Sequence, residues 1–131
     1  MKLRINGNSL RLRVTRSELE RLIAGEGVEE TISFGPAPEA SLRYALVSGS
    51  QDAPVSVRYR AQKITVTLSP EQLRAWSDEN QIGVYANLNL GVAASLEIAV
   101  EKDFACLDRS DKDNADTFAN PYAEGKRSIA T

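Results

Sequence analysis

Moved along itself by 54 positions, the chain matches its own pattern without a gap from Met1/Val55 to Ser48/Lys102. Only 6 of the 48 pairs are identical: Arg4/Arg58, Leu19/Leu73, Ala40/Ala94, Ser41/Ser95, Leu42/Leu96 and Ala45/Ala99. The apolar pattern makes the case instead. Leu3, Ile5, Leu10, Leu12 and Val14 fall on Val57, Tyr59, Ile64, Val66 and Leu68. Leu22 falls on Trp76, Val28 on Ile82, and Leu42-Tyr44-Leu46 on Leu96-Ile98-Val100. Two amphipathic units could align by period alone, but period does not make the loops agree in length. A tandem duplication of one ββαββ unit is therefore expected, with repeats at 1–48 and 55–102.

Each unit carries its own local signals. Lys2–Asn6 and Ser9–Val14 alternate apolar and polar residues. Gly7-Asn8 between them suits a two-residue hairpin turn that sets Ile5 opposite Leu10 and Leu3 opposite Leu12. Thr15-Arg16-Ser17-Glu18 is a capping box ahead of the short stripe Leu19, Leu22 and Ile23, which Gly25 and Gly27 stop. Val28–Phe34 is a strand with Val28, Ile32 and Phe34 inward and Glu30 off the pattern, and Ser41–Val47 is another. After the linker Gly49–Pro54, strands follow at Val55–Arg60 and Lys63–Leu68. Ser69-Pro70-Glu71-Gln72 then opens a second helix with an N-cap, a first-turn proline and a box partner. Strands at Ile82–Asn89 and Ser95–Lys102 complete the second unit.

Eight strands at about 4.8 Å spacing would make a flat sheet roughly 38 Å wide, which two helices of about 10 Å each cannot cover. The sheet must close into a barrel, fold into two layers or dimerise. Eight strands is the number at which a barrel interior just fills with side chains. The expected fold is thus α+β, with an antiparallel, barrel-like sheet. One domain, 1–107, precedes a polar tail, 108–131. The tail lacks an apolar period, and Phe118 and Tyr122 are its candidate anchors.

The 131 residues include no histidine and one cysteine, Cys106. The commonest general base and zinc ligand is thereby absent, as are the Ser-His and Cys-His nucleophile pairs. A single cysteine makes no internal disulfide and fits a cytoplasmic setting, with Cys106 read as a buried structural thiol. The alternating start reads as strand and not as a signal peptide, and no apolar run is long enough to span a membrane. Asp103, Asp108, Asp111, Asp113 and Asp116 lack the spacing of a calcium loop and read as a solvated acidic stretch.

Net charge is −2 and the isoelectric point about 5.2, so no global cationic field points to nucleic acid. The polar strand face is nonetheless cationic. Arg4, Arg11, Arg13, Arg43, Arg58, Arg60 and Lys63 share it with Lys2, against Glu29, Glu97 and Glu101. Arginine supplies planar donors suited to phosphate and carboxylate. Charged solvent-facing strand positions also serve simply to keep sheets from pairing with other chains.

Two resemblances arise from these residues. From the second strand onward the order is strand, helix and three strands, twice over, which is similar to the CYTH family of triphosphate-binding tunnel enzymes. That resemblance implies a tunnel wall of Arg and Lys for triphosphate, with Glu residues for a divalent metal. The family's E-x-E-x-K signature is not at the amino terminus, where the strand reads Lys2-Leu3-Arg4-Ile5-Asn6. Its nearest echo is Glu97-Ile98-Ala99-Val100-Glu101-Lys102, which makes Glu97 and Glu101 the metal candidates. Second, MKLRINGNSLRLRVT and VEKDFACLDR resemble an uncharacterised bacterial family of about this length, over nearly the whole chain.

The expected function is a small non-catalytic binding module whose cationic face takes an anionic small molecule or partner through Arg4, Arg11, Arg13, Arg43, Arg58, Arg60 and Lys63, without a cofactor. One alternative is a CYTH-like metal-dependent triphosphate hydrolase or cyclase. The other is a structural or protein-interaction subunit. Neither membrane nor nucleic acid is an expected partner.

Overall fold

Period-two alternation and two capped helices yield ten elements in the computed structural model, which describes residues 1–78, 80–104 and 115–119. The strands are β1 (Lys2–Ile5), β2 (Ser9–Val14), β3 (Val28–Ser33), β4 (Ser41–Ser48), β5 (Val55–Arg60), β6 (Lys63–Leu68), β7 (Gly83–Asn89) and β8 (Ser95–Lys102). The helices are α1 (Arg16–Ile23) and α2 (Pro70–Ser77).

The strands form two four-stranded sheets, in the orders β1-β2-β8-β7 and β3-β4-β6-β5. Each helix carries the chain from one sheet to the other. Repeat 1 therefore gives its first hairpin to one sheet and its second hairpin to the other, and repeat 2 does the same in reverse. The hairpins from different repeats join through a parallel pair, β2 with β8 and β4 with β6. Two expectations are corrected. The sheets are mixed, not purely antiparallel, because each centre joins strands of different repeats. The strands also do not close into a barrel: β1, β7, β3 and β5 are edges, and the apolar excess is buried by layering.

The register shows the two-fold relation directly. Leu10 faces Ile98 and Ile64 faces Tyr44, while Leu12 faces Val100 and Val66 faces Leu46. Each pair maps onto the other by the 54-residue offset. The hairpin of β1 and β2 has Ile5 opposite Leu10 and Leu3 opposite Leu12, as the Gly7-Asn8 turn requires.

One stretch departs from the gapless match. Val28 faces Leu46 in repeat 1, and Val84 faces Val100 in repeat 2. The equivalent of Val28 is thus Val84, not Ile82, which is half exposed. Counted to these equivalent valines, the stretch after α2 is longer by two residues, and the connection from β7 to β8 is shorter by two. The longer connection is held by Trp76, whose indole N–H donates to the Ile82 carbonyl at 3.1 Å. It is held also by Lys102, whose ammonium donates to the Asp78 carbonyl at 2.7 Å.

The helices cap one end of the two layers. Leu19, Leu22, Leu73 and Trp76 are buried there with Val14, Leu68, Leu46, Val100, Val28 and Val84. Thr15 accepts from the Glu18 amide at 3.3 Å, and Glu18 accepts from the Thr15 amide at 2.9 Å, which completes the capping box. Ser69 caps α2 by accepting from the Gln72 amide at 3.2 Å. No reciprocal bond forms there, because the Ser69 amide already donates to the Pro54 carbonyl at 3.0 Å. At the opposite end the layers leave apolar side chains uncovered. Ile5, Ile32, Phe34 and Tyr59 are exposed, so Ile32 and Phe34, expected to be inward, are left unburied at this end.

The stretch 115–119 packs on the domain. Phe118 stands edge-on to Phe104, with ring centroids 6.3 Å apart, and Phe104 and Phe118 form a parallel bridge. Thr117 is buried. Phe118, one of the two expected anchors, docks there, and Asp116 reaches α1. Tyr122 and Cys106 lie outside the described residues. Among the described residues no helix is long and apolar enough to cross a membrane.

Candidate functional site: a cationic row on one sheet

The seven predicted cations divide between two outer faces. Arg4, Arg11 and Arg13 stand on the sheet β1-β2-β8-β7, and Arg43, Arg58, Arg60 and Lys63 on the sheet β3-β4-β6-β5. Alternation puts all seven opposite the core, yet the two layers turn their outer faces away from each other. One concavity holding all seven does not exist.

On the first sheet two of the three cations are already engaged. Arg11 and Arg13 both approach Glu101, at 3.3 and 3.8 Å. The Tyr85 hydroxyl donates to the same carboxylate at 2.7 Å. Desolvation, then the hydrogen bond to Glu101 and its charge, push the Tyr85 phenol up to about 12. Glycine is needed beneath it: a Cβ on Gly83 would meet the Val100 carbonyl oxygen at 2.8 Å and the Tyr85 hydroxyl at 3.0 Å.

The second sheet is different. Arg43 of β4, Lys63 of β6 and Arg60 of β5 are direct cross-strand neighbours, so three cations stand in a row across three strands. Arg58 lies one outward position further along β5, opposite Thr65. Together they line a depression of about 280 Å³ with Ala61 and Thr65. Like charges directly opposite one another destabilise a sheet. Here two such pairs adjoin, and among the described residues one carboxylate serves them: Glu29 of β3 meets the Lys63 ammonium at 2.6 Å. That hydrogen bond, with the charges of Lys63 and Arg43, holds the Glu29 carboxyl below the usual carboxylate range. Arg43 donates weakly to the Ala61 carbonyl at 3.4 Å. Arg58 and Arg60 have no ion pair among the described residues.

The turn beside the row is strained. Ala61 and Gln62 have φ of 52° and 62°, a region that side chains other than glycine, asparagine and aspartate seldom adopt. The turn aims the Ala61 carbonyl at Arg43, and the Gln62 carbonyl accepts from the Arg43 amide at 2.9 Å. Neither the strain nor the row shows in composition. The row would have needed the β4–β6 pairing, which joins residues from different repeats.

The metal candidates are not brought together. Glu97 and Glu101 share the outer face of β8 but stand about 13 Å apart along the strand, and Glu101 is occupied by Arg11, Arg13 and Tyr85. Glu29 is on the other sheet. Among the described residues no three acidic or thiol side chains cluster as metal ligands would. The residues of the acidic stretch that can be placed have partners: Asp103 meets Lys2 at 3.0 Å, and Asp116 accepts from the Ser17 amide at 3.2 Å.

Residues 1–122 match a model described as a family of unknown function, DUF7009. No curated protein and no solved structure matches the chain.

Proposed function

The chain belongs to the DUF7009 family of unknown function, and from its geometry we propose that it is a small non-catalytic binding module for an anionic ligand or partner, held on the outer face of the sheet β3-β4-β6-β5. The observation that carries this reading is the row Arg43–Lys63–Arg60. Adjacent cations cost stability in the free chain, and a bound polyanion would remove that cost. Arg58 and Arg60 offer planar donors to phosphate or carboxylate oxygens, and the Thr65 hydroxyl stands in the same depression. The strained Ala61-Gln62 turn supports the reading, because such strain persists where the surroundings impose it and clusters at binding sites.

Titration calorimetry with pyrophosphate at low salt tests this. Saturable binding at one equivalent is expected, weakened about tenfold or more by Arg58→Ala or Arg43→Ala, as loss of one charge-assisted hydrogen bond would produce. Added salt should weaken it further. No orthophosphate release is expected with magnesium. Absence of heat, or binding indifferent to both substitutions, would rule the reading out.

A further inference from the structure

The two-fold relation gives the cationic row a counterpart on the other sheet, and there one charge is reversed and two are replaced by Ser9 and Asn6. Arg4 and Arg58 occupy the same place in their hairpins. Glu97, facing Ser9, occupies the place of Arg43, facing Lys63. Asn6 stands where Arg60 does. With the two-residue offset of β7, Tyr85 and Asn87 stand where Glu29 and Thr31 do. This face holds a depression of about 540 Å³, lined by Arg4, Asn6, Arg11, Tyr85, Asn87 and Glu97 among others. It is larger than the one beside the cationic row, and within the range of small-molecule sites.

The charges in this depression sort into two kinds. Arg11 is committed to Glu101. Arg4 and Glu97 are exposed and make no ion pair among the described residues. They belong to β1 and β8, with β2 between. Two strand spacings and a two-residue stagger place their Cα atoms about 12 Å apart. A guanidinium and a carboxylate thus stand on opposite sides of one depression, with the Asn6 and Asn87 amides as further donors and acceptors. The counterpart site, all cation, suits an anion. This one suits a molecule carrying both charges a few ångströms apart. A guanidinium fork matches a planar carboxylate, and a free carboxylate takes an ammonium.

We propose that the outer face of the sheet β1-β2-β8-β7 is a second, diverged site for a small zwitterion of the amino-acid class, its carboxylate on Arg4 and its ammonium on Glu97. The duplication has produced two places of one geometry and, through Glu97, Ser9 and Asn6 in place of Arg43, Lys63 and Arg60, two ligand chemistries.

The test measures thermal unfolding of the full chain with each of the protein amino acids in turn. Acetate and methylammonium, singly and together, serve as controls bearing one charge each. At least one amino acid raises Tm, and the controls at the same concentration do not. Glu97→Gln and Arg4→Gln each weaken the apparent affinity about tenfold or more, the loss expected for one charge-assisted hydrogen bond. Both positions are exposed, so these variants keep the fold, which their Tm without ligand verifies. Arg58→Ala leaves the amino-acid response unchanged. A chain that ignores pyrophosphate yet responds to an amino acid therefore fails the anion reading alone. Glu97→Arg reverses the charge that would hold the ammonium and abolishes the amino-acid response. The proposal is overturned if no amino acid shifts the wild-type Tm, if the controls shift it equally, or if the response survives both neutral variants.

Discussion

At the scale of residues, alternation tells which side of a strand an arginine takes but not which sheet it joins. Lys2 to Val14 could be read accurately: Arg4, Arg11 and Arg13 oppose the core, and Leu10, Leu12 and Val14 are buried. The seven cations nevertheless looked like one group, because the pairings that separate them are between repeats. Tyr85 shows a further limit. Its hydroxyl meets Glu101, sixteen residues away, across the β7–β8 ladder, and only the two-residue offset of β7 puts it there. The consequence can be measured. The folded phenol titrates near 12, above its ordinary value of 10.0. A raised phenol means that the folded state holds its proton more tightly than the unfolded chain does. The associated stability is complete below pH 10 and is lost as pH rises toward 12. Chemical denaturation followed across that window should show a decline in the wild type that Tyr85→Phe diminishes. An identical decline in Tyr85→Phe would place the titration elsewhere.

At the scale of elements, caps and turns were readable because their signals are local. Thr15 and Glu18 need only each other, and Gly7-Asn8 needs only its flanking strands. The offset of β7 was invisible for a physical reason: a shift of two residues leaves every side chain on its own face. Val28, Ile32 and Phe34 match Ile82, Ala86 and Leu88 as they match Val84, Leu88 and Leu90. The stretch after β8 was hidden differently. It has no apolar period, yet it begins as the linker after β4 begins. The Asp103 amide donates to the Val14 carbonyl at 2.8 Å, as the Gly49 amide donates to the Leu68 carbonyl at 3.0 Å. Further on, Asp116 accepts from the Ser17 amide and hydroxyl and meets the first turn of α1, while its own carbonyl accepts from the Arg16 amide at 3.1 Å. The Ser17 hydroxyl bond is the largest cause holding the Asp116 carboxyl below its ordinary value. An acceptor at a helix start contributes about 1 kcal/mol, so Asp116→Ala should lower stability by about that much. A lowered carboxyl contributes above its unfolded value and stops contributing as pH falls through its folded value. The deficit of Asp116→Ala should therefore be present at neutral pH and vanish in acid. Equal stability at neutral pH would show that the stretch is not docked.

At the scale of the whole molecule, duplication and fold class could be read from the sequence, but the exchange of hairpins between sheets could not. Both arrangements use the same alternating strands and short loops, and only the assembled core distinguishes them. The exchange has a strong consequence. Each sheet takes one hairpin from each repeat, and the buried cluster takes Leu12, Val14 and Leu46 from one repeat with Val66, Leu68 and Val100 from the other. A single repeat would own two separate hairpins and one short helix, with no sheet of more than two strands. Isolated hairpins are marginal in water, and a helix of about two turns is no better. A fragment of residues 1–54 should accordingly have no folded monomer. Only a second copy, placed by the same two-fold relation, would rebuild both parallel pairs, with β2 of one copy against β4 of the other. Circular dichroism with sedimentation equilibrium checks this. The fragment should be unfolded when dilute and gain strand signal only as it dimerises. A folded monomer of 1–54 would mean that a repeat closes its own core, and the exchange of hairpins would then not be what holds the two sheets together.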